Sequence, residues 1–144
     1  MKLKLDIEEM VESFFEDTRL IGIVAPLKDY QFCWQLNRLF HFNFRLNNQI
    51  EVGLTKKLIR FSFSIFEFAE SGSSLIHYLY NNKNNGEYLL PECKHNDFLW
   101  LMKGDAVDDN KFEHISRSIR QITGVQMVSE MVTEKLTHRV NLMF

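Results

Sequence analysis

The chain of 144 residues contains little proline and glycine. Two prolines and six glycines exclude a collagen-like protein, and a hydrophobic content of 45% excludes a disordered one. Cys33 and Cys93 are too few for the disulfide framework of a small secreted domain. A chain of this length buries roughly two thirds of its unfolded surface. We therefore expect one globular domain over residues 1–144, with reduced thiols.

The sequence also lacks an excess of either charge and a long hydrophobic run. Its 17 basic and 19 acidic residues leave a net charge of −2, which argues against a nucleic-acid partner. No apolar run approaches the roughly 18 residues that span a bilayer, and no secretory signal pattern follows the N-terminus. These absences predict a cytoplasmic protein with no membrane partner.

Recognisable catalytic and metal-binding patterns are missing as well. There is no glycine-rich phosphate loop, no paired-histidine or Cys-x-x-Cys motif and no nucleophile elbow. The sequence therefore predicts no catalytic residues, no metal and no cofactor, and it favours a protein that is not an enzyme. Cys33 is predicted to be buried in a helix. Cys93, beside a Pro-Glu turn, is predicted to be exposed, with His95 as a weak indication of thiol reactivity.

Hydrophobic periodicity predicts the elements of the N-terminal half. Alternation over residues 2–7 indicates an edge strand, and three-to-four spacing from Ile7 indicates a helix to about Asp17. The run 20–24 is typical of a strand buried on both faces. Residues 27–40 form a predicted helix with Pro26 at its first turn. The predicted core face of this helix comprises Phe32, Cys33, Leu36, Leu39 and Phe40.

Three or four strands are expected in the middle of the chain. Alternation over residues 57–68 changes phase at Ile65, which indicates a bulge or a strand end, and Asn85-Gly86 is typical of a hairpin turn. Asn110 and Glu113 then resemble a capping box that opens a helix, which Gly124 would end.

A strand over residues 125–131 would complete a split βαβ unit. The predicted fold class is α+β, a mostly antiparallel sheet with two or three helices packed on it.

Residues 90–98 read Leu-Pro-Glu-Cys-Lys-His-Asn-Asp-Phe. The segment resembles the signature of the IPExxxVDY family, small bacterial proteins seen mainly in Bacteroidetes. Pro91, Glu92 and Asp97 match the signature, Asn96 replaces its valine and Phe98 replaces its tyrosine. The N-terminal half around residues 20–37, Gly124-Val-Gln126 and the ending Asn141-Leu-Met-Phe144 also look similar to this family. The resemblance implies a family but no activity or mechanism.

Two interpretations of Glu92 and Asp97 stay open. Either carboxylate could accept backbone N–H groups and hold a corner between two strands. Alternatively, the two carboxylates could face a pocket together with Asp29, Tyr30 or Trp34 and perform acid–base chemistry. Phe98 in place of a tyrosine argues against any mechanism that needs a phenol there.

Tyr30, Trp34 and Asn37 are spaced three and four residues apart in the predicted helix. They could form a half-buried rim against the sheet, or a surface for a partner. We predict a small interaction or regulatory module whose partner is another protein or a second copy of this chain, as a homodimer. Alternatives are a small-molecule binder or enzyme that uses the Glu92 and Asp97 turn, and a ligand-sensing domain of ACT or ferredoxin-like type.

Overall fold

A six-stranded antiparallel sheet forms the centre of the fold. The computed structural model describes residues 2–144. The strands of this sheet are β1 (Arg19–Val24), β2 (Arg45–Leu46), β5 (Ile65–Ala69), β6 (Ile76–Asn81), β9 (Phe98–Lys103) and β10 (Met127–Met131). They lie in the order β10-β1-β9-β6-β5-β2.

Two small hairpins and three helices complete the chain. One hairpin pairs β3 (Val52–Lys56) with β4 (Ile59–Phe63), and the other pairs β7 (Lys83–Asn84) with β8 (Glu87–Tyr88). The helices are α1 (Lys2–Phe15), α2 (Asp29–Phe40) and α3 (Asp109–Arg120), and the short 3-10 helices are Pro91–Cys93, Thr133–Lys135 and Arg139–Leu142. The predicted α+β class is confirmed.

The sheet is buried on both faces because different segments cover each one. On the first face, α2 and α3 pack over side chains such as Ile21 and Trp100. On the second, Phe15 of α1, the β3–β4 hairpin and the C-terminal segment pack over residues such as Leu101. The buried Tyr80 hydroxyl donates to the Leu142 carbonyl at 2.7 Å, which fastens the C-terminal segment to this second face.

The C-terminal half follows the predicted split βαβ order. Both β9 and β10 pair antiparallel with β1, one on each side, and α3 connects them. The predicted cap of α3 is wrong: Asp108, not Asn110, accepts the Lys111 N–H at 2.8 Å. Asp108 lies one position before the first helical residue, where a short acidic side chain reaches the free N–H groups. The helix ends at Arg120, four residues before Gly124, which has a φ of 98°.

The predicted N-terminal edge strand is also wrong, because residues 2–7 belong to α1. Leu3, Ile7, Met10 and Phe14 recur at intervals of four, three and four, which forms one stripe along a helix. A short alternation of Lys and Leu fits both periods, and both residues favour helices.

Smaller corrections concern α2 and the strand pairing. Pro26 lies before α2 rather than in its first turn, and Leu39 points to solvent. The phase change at Ile65 marks the place where the chain leaves the β3–β4 hairpin and enters the central sheet. Asn85 and Gly86 both have positive φ, as the predicted hairpin turn requires. No helix within residues 2–144 is long and apolar enough to cross a membrane.

Candidate functional site

The outer side of α2 carries two exposed aromatic rings. Phe32 and Leu36 are buried against the sheet, whereas Tyr30 and Trp34 are each 59% exposed and lie one helical turn apart. Together with Leu27 and two glutamines they line an open groove of about 520 Å³. The Arg38 guanidinium lies 4.7 Å from the centre of the Trp34 ring. The structure therefore places Tyr30 and Trp34 on one accessible surface, whereas the sequence had left both this placement and a half-buried rim open.

Asn37 does not belong to that surface. Its side-chain oxygen accepts the Phe44 N–H at 2.8 Å, and its amide donates to the Phe44 carbonyl at 3.2 Å. Phe44 is buried against the sheet. Asn37 therefore holds the loop that follows α2 on the core, and both of its hydrogen-bonding functions are occupied.

The turn that carries Pro91, Glu92 and Asp97 is organised by a buried asparagine. The Asn82 amide donates to the carbonyls of Cys93 and Asn96, both at 3.0 Å, and its oxygen accepts the Leu90 N–H at 2.9 Å. Pro91 begins the 3-10 helix inside this loop. No pattern in the sequence distinguishes Asn82, since it lies in a run of turn-forming asparagines.

Asp97 ties the same turn to the start of α2. Its Oδ2 accepts the Ala25 N–H at 2.7 Å in a buried bond, and its Oδ1 lies 2.5 Å from the Lys83 ammonium. Asp97 also lines a cleft of about 310 Å³ with Asp29 and Tyr30. One part of the predicted pocket is therefore assembled around Asp97.

Glu92 binds at the opposite side of the turn, to the C-terminal segment. Its Oε2 accepts the His138 N–H at 2.7 Å, and its Oε1 lies 3.0 Å from Nδ1 of the His138 ring. Burial opposes ionisation of Glu92, but hydrogen bonds from the backbone of His138, from its own backbone and from the His138 ring outweigh that cost and lower the pKa of Glu92.

The structure does not bring Glu92 and Asp97 together. Each carboxylate accepts a backbone N–H from a different distant segment and contacts one basic side chain, and they share none of these partners. Such an arrangement holds a corner of the chain in place, and neither carboxylate is left to act as a paired acid and base.

A series of hydrogen-bonded side chains is built around His77. In the sequence, His77 is a single histidine without a neighbouring motif. The Trp100 indole N–H donates to Nδ1 of His77 at 3.0 Å, and Nε2 of His77 lies 2.8 Å from Glu70, which also contacts Lys111 at 2.5 Å. Because the indole is only a donor, Nδ1 is the acceptor and the His77 proton resides on Nε2. Burial lowers the pKa of His77, so the imidazole is neutral. Trp100 and His77 are fully buried, which makes this series of side chains structural.

Both thiols are inert in this environment. Burial and the nearby Asp29 carboxylate raise the pKa of Cys33 to about 12, and burial and Glu92 raise the pKa of Cys93 to about 11. Cys93 is 7% exposed, so its predicted exposure is wrong. The apolar side of the turn, beside Leu89 and Leu90, draws it into the core. A reactive thiol needs a lowered pKa, and neither cysteine has one.

A second apolar surface lies on α1, where the sequence predicted a strand. Leu3 is 72% exposed, Ile7 49% and Met10 62%, and we call these residues together with Phe14 the α1 stripe. Phe14 packs edge-on against Phe144 at 5.2 Å, so the stripe continues into the C-terminal residues.

Neither a metal site nor a match to a known protein identifies a function. Within residues 2–144, no group of three or more His, Cys, Asp or Glu side chains is placed to hold a metal ion. No family model matches the chain, and no curated protein matches it. Membership in the IPExxxVDY family stays a prediction from the residues of the turn.

Proposed function

We propose that this protein is a non-catalytic interaction module that works as a homodimer, in which two copies pair through the α1 stripe. The observation that carries this proposal is the exposure of Leu3, Ile7 and Met10 along one side of a helix. Burying a side chain of this kind contributes roughly 1.5–3 kcal/mol, so a partner that covers the stripe would be held by several such terms.

The N-terminal half of α1 has little else to stabilise it. Residues 3, 4 and 6–10 are all exposed, and contact with the core begins with Val11, Phe14 and Phe15. Isolated helices shorter than about 12–15 residues are marginal in water. A helix that exposes an apolar stripe in this way gains stability from packing against another surface.

The charges along α1 favour a second, antiparallel α1 as that surface. The helix has no acidic residue in its first turn and no basic residue in its last turn. Lys4 instead lies near the start, and Glu12 and Glu16 lie near the end, which is unfavourable for the helix dipole. An antiparallel copy brings each Lys4 towards the acidic end of the other helix and corrects the mismatch in both.

The spacing of the stripe is compatible with twofold symmetry. When the axis passes between positions 8 and 9, Ile7 of one copy opposes Met10 of the other, and Leu3 opposes Phe14. An open groove of about 550 Å³ between α1 and the C-terminal residues Met143 and Phe144 adds apolar surface beside this line.

The experiment compares two methionine substitutions of nearly equal exposure. Met10→Glu places a charge in the α1 stripe, and Met127→Glu places the same charge on β10, an edge strand where Met127 is 60% exposed. Sedimentation velocity over a concentration series should show a monomer–dimer equilibrium for the wild type and for Met127→Glu, and a monomer for Met10→Glu. A wild-type monomer at all concentrations, or a dimer lost only in Met127→Glu, would contradict the proposal, because edge pairing of the sheet is the competing dimer.

The alternative functions have less support. Small-molecule binding by a Glu92 and Asp97 pair is opposed by the separate bonds that both carboxylates already make. A ligand-sensing role rests only on the split βαβ order of β9, α3 and β10, and a fold does not establish a function. The proposal includes a cytoplasmic location and a function without catalytic activity.

A further inference from the structure

The turn formed by residues 90–98 borders a cleft that the proposed dimer does not use. The β3–β4 hairpin, the β7–β8 hairpin, the turn and the C-terminal segment enclose a volume of about 720 Å³. Three cations line it, Lys56, Arg60 and Lys94, whereas Glu87 is the one carboxylate among the lining residues. We call this the basic cleft. Its positive lining contrasts with the net charge of −2 of the whole chain.

Two of these cations have no acidic partner. Lys56 lies 3.2 Å from Glu87 and is neutralised by it. Among the described residues, no carboxylate lies within 4 Å of Arg60 or Lys94. Arg60 lies along the cleft floor, since its guanidinium carbon is 3.2 Å from where a Cβ on Gly53 would be. Arg19, by contrast, is paired with both Asp109 and Glu130.

The lining also includes a positioned imidazole and an aromatic ring. Glu92 holds both the backbone N–H and Nδ1 of His138, so the imidazole is fixed at the edge of the cleft. Tyr88 adds a half-buried ring to the lining. In this arrangement Glu92 is a positioning residue, which acts on the cleft through His138.

From this geometry we propose that the basic cleft binds a phosphate ester. Arg60 and Lys94 are two unpaired cations that face one cavity, which suits a group with two negative charges, and arginine donates to phosphate through two parallel N–H groups. Tyr88 packs against the organic part of the ligand. The proposal is independent of the α1 dimer.

The same chemistry could come from a soluble molecule or from a lipid headgroup, because an apolar hairpin tip lies next to the cleft. Leu58 is 99% exposed and Ile59 57%, between Lys57 and the cleft residue Arg60. Lys57 and Leu58 both have positive φ, a conformation that is unfavourable for large side chains. A strained turn that presents Leu58 to solvent is typical of a functional segment.

The test uses pyrophosphate as the probe and thermal unfolding as the measurement. Arg60→Gln/Lys94→Gln removes the two unpaired cations, and Arg45→Gln/Lys28→Gln makes the same charge change at exposed positions outside the cleft. At low ionic strength, pyrophosphate should raise the melting temperature of the wild type and the control. The affinity of the cleft variant should fall about tenfold or more. An equal rise in both variants, or no rise in the wild type, would overturn the proposal.

A second arm identifies the source of the phosphate. Vesicles of phosphatidylcholine with phosphatidic acid are compared with vesicles of phosphatidylcholine alone, for the wild type and for Leu58→Asn. Asn tolerates positive φ, so this variant keeps the turn. Binding only to the anionic vesicles, lost in Leu58→Asn and in the cleft variant, supports the site with a lipid headgroup as ligand. Pyrophosphate binding without vesicle binding supports it with a soluble phosphate ester. Vesicle binding that the cleft variant retains would overturn the site.

Discussion

At the residue scale, the buried polar side chains explain the turn formed by residues 90–98. Asn82 binds three backbone groups of this turn, and Asp97 joins it to the start of α2. Asp97 was identified from the sequence because it matched a recognisable pattern, and its use as a corner residue was one of the two interpretations. Asn82 could not be identified, because its partners lie 8 to 14 residues further along the chain and only the fold aligns them.

The bond between Asp97 and Ala25 can be tested by truncation. Asp97→Ala leaves a buried N–H without an acceptor, and we expect the free energy of unfolding to fall by about 1–3 kcal/mol in urea. Glu51→Ala, an exposed acid, should change it by less than about 0.5 kcal/mol. If both variants were equally stable, Asp97 would not be a structural residue.

At the scale of elements, periodicity predicted the buried strands and α3 well and the chain ends poorly. The continuous apolar run of β1 fits only a buried strand, and the repeated apolar spacing of α3 fits only a helix. The first residues of α1 fit two periods, and Leu3 and Ile7 are exposed, so burial in this chain does not choose between the periods. The predicted strand over residues 57–68 joins β4 to β5, because only the three-dimensional fold shows the change of sheet at Ser64.

The cap of α3 gives a matched pair of substitutions. Asp108→Ala removes the acceptor for the Lys111 N–H and should lower the free energy of unfolding by about 1 kcal/mol. Asn110→Ala should have almost no effect, because Asn110 already lies inside the helix. Thermal unfolding of both variants measures the difference, and a larger loss for Asn110→Ala would restore the cap predicted from the sequence.

At the scale of the whole molecule, the polar chain of Trp100, His77, Glu70 and Lys111 couples stability to pH. Burial lowers the pKa of His77 below its ordinary value of 6.5, against the opposing effect of Glu70. Burial raises the pKa of Glu70, but Lys111 and His77 outweigh it and lower the pKa below 4.5. For both groups the deprotonated form is favoured on folding, so their contribution is present above the ordinary pKa and is lost as the pH falls through the folded one.

We therefore expect stability to fall in two stages on acidification. The first begins below pH 6.5, where His77 takes up a proton in the unfolded chain before it does so in the folded one, and the second begins below pH 4.5, where the same holds for Glu70 and Glu92. His77→Gln should lack the first stage and keep the second. Urea unfolding at a series of pH values measures both, and parallel profiles for the variant and the wild type would show that His77 does not control the first stage.

The most direct test of the account is whether two α1 helices meet in antiparallel orientation. One chain carries Ile7→Cys and another carries Met10→Cys, and the two are mixed and oxidised gently. Cys33 and Cys93 stay reduced because burial raises their pKa values to about 12 and about 11. The account predicts that the main product, identified by mass, joins position 7 of one chain to position 10 of the other. Disulfides only between identical chains would indicate a parallel pair, and the absence of covalent dimers would contradict the α1 interface itself.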